Sequence, residues 1–478
     1  MRTRNRIIVV ALLSVLWALL SIPAARAQFP ATPAAQQFSA WLKVFNSGDR
    51  ATLLQFLQRD FPARASHIDD ELGFRQQTGG FDFKKIEESV PTRFSGLVQE
   101  RGSDQFARFT IEVEPAPPHR ITRLDLRAIP RPPGFAIARL SERDALAALR
   151  AKVEADAAAG KFAGAVLVAK NGQPVFTGAY GMADREKKIP NRLETRFRIG
   201  SMNKMFTAVA ILQLVEAGKI QLNDPLGKYL TDYPNREVAT KVTIHHLLTH
   251  TGGTGDFFGP DFDAHRLELR TLQDYVKLYG KRGLEFAPGS RWEYSNYGFL
   301  LLGVVVEKVS GENYYDYVRD HVYRPAGMTS TDSLPEDQTV PGRSIGYTRM
   351  DSGTWHPNTD TLPYRGTSAG GGYSTVGDLL KFANAVTHYK LLDAHYTELL
   401  TTGKVDAQGG FKYAYGFGDR TVGGVRSFGH GGGAPGMNGD LEIYPQSGYV
   451  VVVLANLDPP AAQQLAEFIG SRLPAQQQ

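Results

Sequence analysis

The 478-residue chain contains no cysteine. That one absence excludes a disulfide framework, thiolate metal sites, a catalytic thiol and a lipid-modified cysteine anchor. Net charge is almost absent too. Basic residues number 54 and acidic residues 49, but Arg2, Arg4, Arg6 and Arg26 lie in an N-terminal stretch without acids, and without them the balance is 50 against 49, or +1. A surplus of one charge outside that stretch gives no electrostatic footprint for a nucleic-acid partner. The 49 glycines and 27 prolines follow no period, which excludes collagen-like and repeat architectures. At 42% hydrophobic, the sequence is too apolar for disorder and too long for one ordinary domain.

The longest apolar run is Ile7 to Leu20, preceded by three arginines and followed by Pro23 and Ala25-Arg26-Ala27. The run is short of the roughly 20 residues a membrane span needs. Positive flank, short apolar stretch and A-x-A site read as a cleaved signal peptide over residues 1–27. Export to a periplasm or the medium follows, with no stable membrane anchor after cleavage.

Downstream, Trp41, Leu42, Phe45, Leu53, Leu54 and Leu57 are spaced for two helices broken at Asn46–Asp49. Strand-like alternation follows at Phe94 and Val98, at Phe109, Ile111 and Val113, and at Ile121, Leu124 and Leu126. Helices before an antiparallel meander make residues 38–129 a small α+β domain. Its order of elements and its Trp41–Leu57 stretch resemble the nuclear transport factor-like fold. A Pro-rich linker, 130–137, separates it from residues 138–473. There a helix opens at Ser141, and a hairpin (Ala163–Ala169, Pro174–Ala179) is followed much later by strands Leu441–Tyr444 and Tyr449–Leu454. The run Tyr449–Leu454 does not alternate and should be covered on both faces. With a terminal helix at Ala461–Leu473, the pattern predicts an α/β sandwich: an antiparallel sheet flanked by helices, with a long helical insertion.

Three segments carry chemistry. In Gly200-Ser201-Met202-Asn203-Lys204, a serine sits at the start of a predicted helix, Met202–Ala217, with a lysine three residues on. Side chains on a helix lean toward its N-terminus, which brings the Lys204 amine back over Ser201. A free lysine, with pKa about 10.4, is no base, but burial lowers that value. The second segment is Tyr294-Ser295-Asn296, opening a helix with Leu300, Leu301, Val304 and Val305 on one stripe. A phenol beside an ammonium is expected to be partly phenolate and to relay the serine proton. Asn296 is placed to hydrogen-bond the lysine and a substrate amide. The third segment is Phe428-Gly429-His430-Gly431-Gly432-Gly433, whose glycines let a substrate backbone lie along an edge strand, with His430 as a donor near the acyl group.

In this order the segments resemble the class C β-lactamase and penicillin-binding-protein-like serine hydrolases, over roughly residues 138–473. The stretches Phe197–Ser201, Leu222–Pro225, Thr243–Thr251 and Ser368–Ser374 add to the likeness. The resemblance implies a β-lactamase-like fold, Ser201 as acylated nucleophile, Lys204 as its base partner and Tyr294 as general acid/base. It further implies Asn296 and the His430-Gly431-Gly432-Gly433 strand as substrate-binding residues, with the Ser201 and Gly433 amides as an oxyanion hole. It implies neither cofactor nor metal, and a small ester, amide or D-amino-acid peptide as substrate. Where β-lactamases carry Lys-Thr-Gly this chain has His430-Gly431-Gly432. That removes a fixed cation for a substrate carboxylate and favours esterase or peptidase activity over efficient β-lactam hydrolysis. The alternative is a non-catalytic binding protein on a retired fold of the same type.

Other matches are set aside on context. Gly366-Thr-Ser368-Ala-Gly370 lacks the strand and helix a nucleophile elbow requires. Gly431–Gly436 has the spacing of a dinucleotide loop but contains Pro435 and opens no helix. His245, His246 and His250 lack the glutamate of a zinc-protease motif and are expected in capping and core roles.

Overall fold

The computed structural model describes residues 29–350, 353–407 and 410–476. The signal-peptide reading of residues 1–27 lies outside them. The chain divides into two compact units, one comprising the chain up to Ile68 with Ile86–Gly96 and Phe109–Asp125, the other Asp69–Lys85, Leu97–Arg108 and Leu126–Gln478.

In the first unit, α1 (Pro33–Ser47) ends where Gly48 takes a φ of 68°. Asp49 then caps α2 (Arg50–Asp60), its carboxylate accepting the Thr52 N–H at 2.8 Å. The core is aromatic: Phe38 stacks on Phe109 at 3.7 Å and lies 5.7 Å from Phe94. α3 (Ile68–Thr78) falls almost wholly in the second unit, and the four-stranded sheet after it, in the order β1 (Phe81–Val90), β2 (Arg93–Glu100), β3 (Phe106–Val113), β4 (Ile121–Ile129), has each strand divided between the two units. Three of these strands were legible as alternation. β1 was not, because Phe81 is its one buried residue and it carries Lys84, Lys85, Glu87 and Glu88 where a hydrophobic face would show.

The second unit is built on eight antiparallel strands. After α4 (Glu142–Ala158), capped by Ser141, come β5 (Gly164–Lys170) and β6 (Gln173–Tyr180). The rest are β7 (Val405–Asp406), β8 (Lys412–Tyr413), β9 (Gly418–Val422), β10 (Val425–Ala434), β11 (Met437–Tyr444) and β12 (Tyr449–Ala455). The order across the sheet is β7-β8-β9-β10-β11-β12-β5-β6, so the late strands close on the early hairpin through β12 and β5. Every residue of β12 is buried. Val451 and Val453 pack with Leu149 of α4 and with Leu465 and Ile469 of the terminal helix, whereas Val450, Val452 and Leu454 join the helical layer opposite. A non-alternating strand thus has two apolar faces to satisfy.

The helical layer contains α5 (Asn203–Glu216), α6 (Ile244–Leu248), α7 (Asn296–Ser310) and α8 (Val376–Thr387); the terminal helix, α9, spans Ala461–Gly470. α5 is buried continuously from Asn203 to Leu212, the pattern of a helix packed on all sides. It starts one residue later than its sequence suggests, because Gly200–Met202 forms a tighter 3-10 turn ahead of it.

The sheet centre is the place to test this packing. Leu441, fully buried on β11, should lose about 2–5 kcal/mol of stability on substitution by alanine. Val422, 58% exposed at the end of β9, should change stability by less than about 0.5 kcal/mol as threonine. Urea midpoints of the two variants check the contrast, and equal midpoints would contradict it.

Candidate active site

The site is assembled where the start of α5 meets the glycine-rich strand β10. Gly200 has a φ of 52°, a left-handed turn that glycine adopts without strain, and it presents Ser201 at the helix start. β9 pairs with β10 only as far as Gly429, so Gly431–Ala434 is an edge on that side. This edge lies against the serine turn. A Cβ on Gly432 would overlap the Ile199 carbonyl and come within 3.0 Å of the Ser201 nitrogen, and one on Gly200 would meet the Gly433 nitrogen at 2.9 Å. The Ser201 and Gly433 amides therefore belong to neighbouring backbone segments, and Gly433 is exposed.

Lys204 is completely buried. Its Nζ lies 3.3 Å from Ser201 Oγ, 2.7 Å from Asn296 Oδ1 and 2.5 Å from the Ala369 carbonyl. Its nearest ring is Tyr294, 4.6 Å to the centroid. Burial pushes the amine down to about 7, against a smaller upward pull from Asp256. Two carbonyl-type oxygens are fixed acceptors for two N–H bonds, which leaves the third position of the nitrogen facing the serine hydroxyl. A neutral amine in this seat directs its lone pair at Ser201 Oγ.

Burial raises the Tyr294 phenol well above its usual value, against a smaller lowering by the neighbouring Ser201 hydroxyl. This corrects the expectation of a partial phenolate. Loss of water around the ring disfavours the anion more than the neighbouring groups favour it, so Tyr294 holds its proton at neutral pH and is a donor.

The structure brings Ser201, Lys204, Tyr294 and Asn296 together; His430 stands beside them, its ring 6.4 Å from that of Tyr294. Both of its nitrogens are engaged within the protein. Nδ1 donates to the Gly431 carbonyl at 2.5 Å and Nε2 accepts from the Tyr413 hydroxyl at 3.0 Å. Burial pushes the imidazole down to about 3, so it is neutral and its one N–H is already spent. The expected donor role toward an acyl group is not what the ring is set up to do; it braces the strand.

Three participants were given no role at the site by the sequence reading. Asp256 accepts from Asn296 Nδ2 at 2.8 Å, which turns the amide so that its oxygen faces Lys204. Its other oxygen accepts the Phe257 and Phe258 amides at 2.7 and 3.2 Å. The Ala369 carbonyl comes from the segment that imitates a nucleophile elbow. Ser368 itself is buried, donating to Leu300 O at 3.3 Å. The third is His250, which lies beyond α6 rather than on it and packs its ring 4.3 Å from that of Tyr294. His246 does cap α6, accepting the Thr243 N–H at 3.2 Å, and His245 pairs with Tyr415 at 2.8 Å. Gly431–Gly436 forms the β10–β11 hairpin and no helix. Among the described residues no group of histidine, aspartate and glutamate is arranged to hold a metal ion, and no helix is long and apolar enough to cross a membrane.

Comparison with known proteins agrees with this geometry. The sequence profile of the β-lactamase family matches residues 149–473. The protein PbpX of Bacillus subtilis (strain 168) is 32% identical over 295 residues, 61% of this chain and 70% of that protein. A penicillin-binding protein from Bacillus halodurans superposes with a TM-score of 0.62 at 36% identity, covering 67% of this chain and 99% of that one. A D-stereospecific amidohydrolase from Streptomyces sp. superposes with a TM-score of 0.58 at 28% identity, covering 67% and 97%. The chain belongs to the β-lactamase family and is a serine hydrolase of the β-lactamase and penicillin-binding-protein type.

Proposed function

We propose that the protein is an exported serine hydrolase that cleaves ester, amide or peptide bonds through a Ser201 acyl-enzyme, as an esterase or D-amino-acid peptidase rather than an efficient β-lactamase. The observation that carries this reading is the buried Lys204 amine, 3.3 Å from Ser201 Oγ and held by two other acceptors. Ser201 Oγ attacks the substrate carbonyl carbon, and its proton passes to the Lys204 lone pair. The Ser201 and Gly433 N–H groups receive the oxyanion. As the bond to the leaving group breaks, Tyr294 gives that group a proton, and a proton from the Lys204 ammonium restores the phenol. Water then attacks the acyl carbon by the reverse route and releases the acid.

His430 and the relatives both bear on the substrate class. A neutral, fully engaged imidazole supplies no fixed cation for the carboxylate of a β-lactam. The Streptomyces amidohydrolase acts with D-stereospecificity and shares 28% identity with this chain, which supports a D-configured amide or peptide as substrate. Periplasmic or secreted location rests on the N-terminal sequence, and residues 38–129 are assigned to an accessory domain that precedes the 138–473 hydrolase in the chain.

Two outcomes are expected. A fluorophosphonate probe should add its mass to the peptide containing Ser201, and Ser201→Ala should abolish the labelling; labelling that survives, or lands on Ser368, contradicts the assignment. The second concerns pH. Acylation should rise as Lys204 loses its proton, with a midpoint near its value of about 7. Asp256 raises that value, so Asp256→Asn should move the acidic limb of the acylation profile to lower pH. An unmoved limb, or one moved to higher pH, would contradict Lys204 as the titrating base.

A further inference from the structure

We propose that His250 is the positioning residue that fixes Tyr294 for proton transfer to the leaving group. The inference rests on the role just given to Tyr294. One residue grips three consecutive ones. The His250 carbonyl accepts the Glu293 N–H at 2.9 Å, and its Nδ1 accepts the Ser295 N–H at 3.1 Å. Between these two anchors its ring lies on the Tyr294 ring, centroids 4.3 Å apart and planes at 35°. The Lys204 nitrogen lies 4.6 Å from the same ring's centroid. Phe299, Tyr413 and Trp292 enclose the imidazole at 5.0, 4.6 and 6.1 Å, so its contacts are all internal.

The residue is held here against two local penalties. His250 has a φ of 57°, a left-handed conformation unfavourable for a side-chain-bearing residue. Because Nδ1 accepts, the neutral ring carries its proton on Nε2, and that atom is buried with no hydrogen-bond partner. A buried donor left unpaired is unfavourable. Stability alone would place glycine or asparagine at this turn. A strained, under-bonded histidine whose contacts converge on Tyr294 is the arrangement expected when local strain serves the chemistry. Burial also keeps the ring uncharged, so its contribution is shape and hydrogen bonding rather than charge.

The test uses the full chain and two variants that separate the two grips. His250→Asn tolerates the left-handed turn and retains an acceptor for Ser295 but lacks the ring; His250→Phe retains a ring but lacks the acceptor. The readout is kcat/KM on p-nitrophenyl acetate and phenyl acetate, which share an acyl group and differ in how much the leaving group needs a proton. A merely structural role would lower both esters in proportion. The expected result is a further loss of about tenfold on phenyl acetate relative to p-nitrophenyl acetate in either variant that folds. In a Tyr294→Phe background His250→Asn should have no further effect on that ratio. An unchanged ester ratio, or a His250 effect that persists in full without the Tyr294 hydroxyl, overturns the inference. Failure of the wild-type chain to take a fluorophosphonate on Ser201 would instead defeat the reaction scheme, so the two failures are distinguishable.

Discussion

A lysine amine removed from water is the constraint on which the site depends. Lys204 lies on a helix buried on every side, so its amine cannot reach solvent and its charged form loses hydration. Two fixed acceptors, Asn296 Oδ1 and the Ala369 carbonyl, hold the nitrogen without neutralising it. Carboxylate contact would have done the opposite: a direct ion pair would keep the lysine charged and useless as a base. Asp256 is set one residue back, bonded to the amide of Asn296. That placement orients the amide and supplies a weaker, through-space pull on the amine.

The same logic runs through the groups around it. Burial keeps Tyr294 protonated and His250 and His430 neutral, so in a cluster rich in titratable side chains the lysine is the one group brought close to its switching range at neutral pH. The fold makes this possible by surrounding α5 with α7 and the sheet. The edge of β10 lies against the serine turn, where its glycines allow the close approach. Packing, then, is part of the chemistry: the apolar layer that stabilises the second unit is also what tunes the amine.

Much of this was legible as spacing. Lys204 follows Ser201 by three residues at a helix start, Tyr294 and Asn296 flank a helix cap, and β12 announced two covered faces by failing to alternate. Local patterns of this kind are written in neighbouring residues. Asp256, His250 and the Ala369 carbonyl act through contacts between segments far apart in the chain. A lone aspartate in a loop, a histidine beyond a short helix and a backbone oxygen have no periodicity to betray them. The state of Tyr294 was misjudged for a related reason: a phenol beside an ammonium reads as acidic in sequence, whereas the loss of solvent that reverses the shift exists only in the folded protein. β1 went unread because it carries charges at adjacent positions.

The most direct test of the account is the titration of the Lys204 side chain itself, followed by NMR on lysine-labelled protein and assigned by the signal missing from Lys204→Arg. The account predicts a midpoint near 7, with the amine predominantly neutral at pH 8. An amine that stays protonated until about 10.4, the ordinary lysine value, would contradict it.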